Sequence, residues 1–82
     1  MFEAKIYITL KETVADPQGL TIKHSLESLG YKGLQKVRIG KLITIRLDVK
    51  SKKEAEKQIK EMCEKLLANP IIENYNFKIE EA

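Results

Sequence analysis

The sequence predicts an α+β fold of two layers, a four-stranded antiparallel sheet carrying two helices on one face. Three observations predict it. Apolar residues alternate with polar ones in Phe2–Leu10, in Leu34–Val49 and in Ile71–Glu80, the period of half-buried strands. Two intervening stretches carry apolar residues at helical spacing. Each stretch is bounded by residues that start or stop a helix or turn.

In Phe2–Leu10, Phe2, Ala4, Ile6, Ile8 and Leu10 share one side and Glu3, Lys5, Tyr7 and Thr9 the other. Tyr7 is read as a ring covering its neighbours' stems, with its hydroxyl in water. Asp16-Pro17 then opens a helix, with Asp16 as N-cap and Pro17 at the first helical position, where a missing N–H costs nothing. Ile22, Leu26 and Leu29 make a stripe expected to enter the core, and Gly30 terminates the helix. Gly19 in the first turn marks either a close backbone approach or a soft helix start, and the soft start is the simpler reading. His24 lies off the stripe without a second ligand or a nucleophile near it, and is read as a solvated side chain.

Leu34 to Val49 reads as two strands and their turn at Gly40, where glycine takes positive φ without steric cost. A two-residue loop would place Lys36 and Arg38 on the apolar face. An odd-length connection, Gly40 to Leu42, instead pairs Ile39 with Ile43 and Val37 with Ile45, so it is the one expected. Ser51 and Glu54 form a capping box for the second helix. Its stripe comprises Ala55, Ile59, Met62, Cys63, Leu66 and Leu67, and makes Cys63 a buried structural thiol. Asn69-Pro70 closes it, with Asn69 suited to the left-handed position. Ile71, Tyr75, Phe77 and Ile79 line the last strand's apolar face.

Two helices and four strands with one apolar face each give the ferredoxin-like βαββαβ sandwich, with the first and third strands central and the second and fourth at the edges. The 82 residues are read as one domain, 1–82. So short a chain buries only about 60 to 65% of its unfolded surface. Disulfides cannot compensate, because Cys63 is the single cysteine, and one thiol fits a reducing, cytoplasmic compartment. An open sheet face and unpaired edges therefore predict a homo-oligomer, dimer or tetramer. Fifteen basic and twelve acidic residues, spread along the chain, permit nucleic-acid binding without arguing for it. Only Tyr7 offers a base-stacking aromatic on the expected central strands, so no nucleic-acid partner is expected. No apolar run approaches ~20 residues, so no membrane partner is expected either.

No catalytic constellation is present: no glycine-rich phosphate loop, no paired histidines, no nucleophile beside a base. Residue chemistry alone thus stops at a small α/β module. Four segments go further. ADPQG at Ala15–Gly19, LGY at Leu29–Tyr31, VRIGK at Val37–Lys41 and LLANPIIENY at Leu66–Tyr75 stand in an order and spacing that resemble PurS, the small-subunit family of phosphoribosylformylglycinamidine synthase, over nearly the full length.

The resemblance implies a non-catalytic subunit in the fourth step of de novo purine biosynthesis, bridging a large synthetase and a glutaminase and supporting ammonia transfer between them. The complex would be an ATP-dependent, glutamine-hydrolysing carbon–nitrogen ligase, with ATP and magnesium in the synthetase. No active site, cofactor or metal is expected in this chain. Asp16, Pro17, Gly19, Asn69 and Pro70 are accounted for first by helix boundaries. Arg38, Lys41 and Leu42, at the expected strand tip, are candidate partner contacts, with a solvated tip as the competing reading. The alternative function is a free-standing oligomeric ligand-sensing module of the same topology, distinguished by a small molecule bound to the isolated chain.

Overall fold

A computed structural model describes residues 1–82. Its elements are β1 (Phe2–Leu10), α1 (Pro17–Ser28), β2 (Gly40–Leu47), α2 (Lys52–Met62), a π-helical turn (Cys63–Leu67) and β3 (Glu73–Glu81). The sheet is antiparallel and three-stranded, in the order β2-β1-β3. The expected four-stranded sheet is therefore not formed: β1 alone is central, and no strand forms between α1 and Gly40.

The missing strand is Leu34–Ile39, which has no regular secondary structure and pairs with nothing in the sheet. No hairpin exists at Gly40–Leu42, so neither of the cross-strand pairings weighed for it is made. Gly40 does not take positive φ. It is the first residue of β2, opposite Thr9, and a Cβ there would stand 2.8 Å from the Ile8 carbonyl oxygen. Its lack of a side chain serves a close approach rather than a turn.

Local chemistry explains where Leu34–Ile39 goes. The Asp16 carboxylate accepts from the Gly19 N–H through Oδ1 (3.0 Å), the helix cap, and from the Ile39 N–H through Oδ2 (2.7 Å). The Arg38 guanidinium donates to the Lys11 and Val14 carbonyls at 3.0 and 2.7 Å, and Lys36 pairs with Glu12. Gly19 is buried beneath this segment, and a Cβ on it would lie 2.2 Å from the Val37 carbonyl oxygen. The close approach, not a soft helix start, accounts for Gly19. The two backbone N–H groups hold the Asp16 carboxyl below its ordinary value, with the Ile39 N–H the larger influence.

Segment 34–39 and α1 thus form an arm. The helix has the expected ends, with Asp16 and Pro17 at its start and Gly30 at φ 100° beyond Leu29. The Tyr31 N–H bonds to Leu26 and the Gly30 N–H to Glu27, the Schellman closure. Its stripe, however, does not enter the core: Ile22 and Leu29 are exposed, and no α1 residue belongs to the core cluster. Of the two helices expected on one face, only α2 packs there. The radius of gyration is 16.3 Å, with extents of 51 × 27 × 15 Å, against about 12 Å for a compact chain of this length.

The core lies between β1 and α2. Phe2, Ala4, Ile6 and Ile8 meet Ala55, Ile59, Cys63 and Ala68, with Ile79 from β3. Ser51 accepts from the Glu54 N–H at 3.2 Å and starts α2. After Leu67, Asn69 turns the chain without a left-handed backbone. Its side-chain oxygen accepts from the Ile71 N–H at 3.0 Å, and its own N–H donates to the Glu73 carboxylate at 2.7 Å. This is an Asx turn in place of the expected left-handed cap. Ile71 falls before β3 and is exposed.

Ile59→Ala is expected to cost about 2–5 kcal/mol, read as a loss of denaturant midpoint, because Ile59 is fully buried. Burial pushes the Cys63 thiol up, so a thiol reagent at neutral pH should label it at the rate of unfolding. Asp16→Asn or Gly19→Ala should speed hydrogen exchange at Ile39 while leaving β1 protected. The Asp16 clamp should be complete above the ordinary carboxylate value of about 3.9 and fail as pH falls through the lowered native value.

Candidate partner interface

Two clusters of exposed apolar residues stand out, beside single ones such as Leu42 and Ile71. The first is the arm, where Leu20 is 54%, Leu29 75% and Tyr31 60% exposed. The second is an open groove of about 660 Å³ between β2 and the end of α2, lined by Ile45, Met62, Leu66 and Leu67, with Glu61 and Lys65 at its rim. Leu66 is 82% exposed, because the π-helical turn shifts the stripe and swings it off the core. In a sandwich with two packed helices a second helix would cover this space. Here the chain's own arm is held away from it by the Asp16 and Arg38 bonds.

The structure separates the three candidate contact residues. Arg38 is half-buried and spends its guanidinium on two carbonyls of the β1–α1 loop. Lys41 lies at the start of β2 and reaches Glu73 of β3 across β1, 3.5 Å away, with most of its side chain in water. Leu42 is 57% exposed beside Tyr7 on the uncovered sheet face. Lys41 and Leu42 are thus neighbours on β2, on opposite faces, and Arg38 belongs to the arm's anchorage.

Sequence reasoning missed two contributors. Asp16 was visible as a cap, but nothing local announces that its second oxygen holds Ile39. The apolar stripe of α1 was visible, but period alone does not say whether it faces its own sheet or another chain.

A further cavity lies at the other end of the sheet's covered side. A cleft of about 380 Å³ is lined in part by Lys11, Glu64, Glu73 and Tyr75. Within it the Tyr75 hydroxyl donates to Glu64 at 3.3 Å, and partial burial with the nearby Glu64 charge pushes the phenol up. Cys63 borders the cleft as a fully buried thiol with no base against it. No group of three or more His, Cys, Asp or Glu side chains is placed to hold a metal, and no helix is long and apolar enough to cross a membrane.

A family model described as PurS, phosphoribosylformylglycinamidine (FGAM) synthase, matches residues 3–81. The PurS subunit of Bacillus subtilis is 47% identical over 81 residues, covering 99% of this chain and 95% of that one. The Archaeoglobus fulgidus subunit is 49% identical over 73 residues, covering 89% and 91%. Among solved structures, Methanocaldococcus jannaschii PurS superposes with a TM-score of 0.90 at 36% identity, covering 100% of this chain and 99% of that one. A chain of the PurLQS structure from Thermotoga maritima superposes with a TM-score of 0.88 at 34% identity, covering 96% of each. Together these matches establish that the chain belongs to the PurS family of phosphoribosylformylglycinamidine synthase subunits.

Proposed function

We propose that this chain is a single-domain, non-catalytic scaffold in a cytoplasmic phosphoribosylformylglycinamidine synthase complex, joining a large synthetase to a glutaminase. The observation that carries the reading is a molecule whose exposed apolar surface is extensive and whose cavities contain no nucleophile–base pair. ATP and magnesium belong to the synthetase, and this chain needs neither. Its contribution to the reaction is proximity: seating the ammonia-releasing site against the ammonia-consuming one shortens the passage and keeps ammonia from water. The M. jannaschii relative, described as one of the subunits of formylglycinamide ribonucleotide amidotransferase, supports the subunit role. The three-component name of the T. maritima assembly supports the partners.

The scaffold is a homo-oligomer. A chain that holds its own apolar arm away from its own apolar groove leaves both to a second copy. Leu20, Leu29 and Tyr31 on one side and Ile45, Met62, Leu66 and Leu67 on the other are covered reciprocally in a two-fold pair. Lys41 and Leu42, on a strand end outside that exchange, contact a partner subunit, with Arg38 holding the adjoining chain in place.

Light scattering after size exclusion tests both parts. The chain alone should run as a dimer or tetramer, and with synthetase, glutaminase, ATP and glutamine it should enter one larger complex. Leu66→Ser should lower self-association with little loss of protomer stability. Lys41→Glu with Leu42→Ser should keep the oligomer and lose at least tenfold in affinity for the synthetase. Unchanged co-purification of that pair variant would remove those two residues from the interface.

A further inference from the structure

The uncovered face of the sheet holds a hollow lined by charges of both signs. Glu3, Lys5, Tyr7, Lys78 and Glu80 enclose about 230 Å³. The register sets these residues in rows across β1 and β3: Glu3 opposite Glu80, then Lys5 opposite Lys78, then Tyr7 opposite Asn76. Rows on one face are about 7 Å apart, so long side chains of neighbouring rows share one space. Arg46 of β2 reaches Glu3 at 3.5 Å, whereas Lys5, Lys78 and Glu80 have no ion-pair partner. Two lysines in directly opposed positions repel each other and destabilise the strand pair. No carboxylate of the chain is placed to offset that repulsion. An anionic group seated between the two ammonium groups offsets it.

Size and charge define the ligand. The hollow is smaller than the about 300 to 1,000 Å³ of pockets that hold drug-sized ligands, so a nucleotide does not fit. The lysine pair calls for a small anion that accepts from both sides. Glu80, unpaired and one row away, calls for a cation close to that anion and repels a ligand of purely negative charge. We infer that the hollow is a binding site for a free α-amino acid in its zwitterionic form. The ligand's carboxylate lies between the Lys5 and Lys78 ammonium groups, and its own ammonium group meets Glu80. Its side chain runs the opposite way, over the ring of Tyr7, a residue 39% exposed.

Each of these contacts alone is weak, because ion pairs in water contribute little. Joined on one small molecule they act together, and the loss of freedom on binding is met once for both charges. The site belongs to a subunit and does not make the chain a free-standing sensor, since the family membership stands apart from it.

Titration of the isotope-labelled chain with L-alanine at neutral pH and low salt, followed through amide chemical shifts, tests the site. Saturable shifts are expected at residues 3–7 and 76–80 and not on α1. Acetate and methylammonium, each carrying one of the two recognised charges, should bind at least about tenfold more weakly. K5Q/K78Q should abolish saturation, and E80Q should weaken binding about tenfold. K50Q/K52Q, between β2 and α2 and off this face, should bind as wild type. Relief of the lysine repulsion should leave K5Q/K78Q with a denaturant midpoint no lower than wild type, which separates lost binding from unfolding. Absence of saturable shifts at these residues overturns the inference, as does a K5Q/K78Q or E80Q chain that binds L-alanine like wild type. Acetate bound as tightly as L-alanine overturns the amino-acid assignment.

Discussion

One carboxylate decides the shape of this chain. Asp16 faces the Gly19 N–H with one oxygen and the Ile39 N–H with the other. The first contact starts α1, and the second ties residues 23 positions away to the foot of that helix. Arg38 reinforces the tie by donating to the loop that precedes Asp16. Charge-assisted bonds to backbone groups are stronger than neutral ones, and here they compete with a sheet ladder for Leu34–Ile39. Gly19 completes the arrangement, since any larger residue would push the Val37 carbonyl away. The sheet loses a strand and one covering helix, and the molecule gains an arm.

The core that remains is small, and its composition follows from that loss. β1 is covered by strands on both sides and by α2 on one face, so Ala4, Ile6 and Ile8 are almost wholly buried. β2 has α2 at one side and nothing over the rest, so Ile43, Ile45 and Leu47 are only half-buried although their pattern is as apolar as that of β1. A short chain with so thin a core gains stability from further burial. The apolar surfaces left over on arm and groove are the surfaces that association would bury.

Much of this was legible in the sequence, and the errors have one source. Asp16-Pro17, Gly30 and Ser51 with Glu54 marked helix ends correctly because capping is local chemistry between residues a few positions apart. Alternation placed Phe2, Ala4, Ile6 and Ile8 on the buried face for an equally local reason. Val37 and Ile39 also alternate with charges, and they are half-buried as that pattern requires, though in no strand. A period of two says which side chains share a side. It does not say which group accepts the Ile39 N–H, and a distant carboxylate took the place of a neighbouring strand. The same gap separates the visible stripe of α1 from its actual exposure.

The candidate contacts were legible to the same degree. Lys41 and Leu42 were singled out as exposed residues near a turn. They are exposed, but as consecutive residues of a strand they point to opposite faces. Lys41 faces the α2 side, where it reaches Glu73, and Leu42 faces the charged rows of the open side. The chain therefore presents different chemistry on its two broad sides, an apolar groove on one and patterned charge on the other.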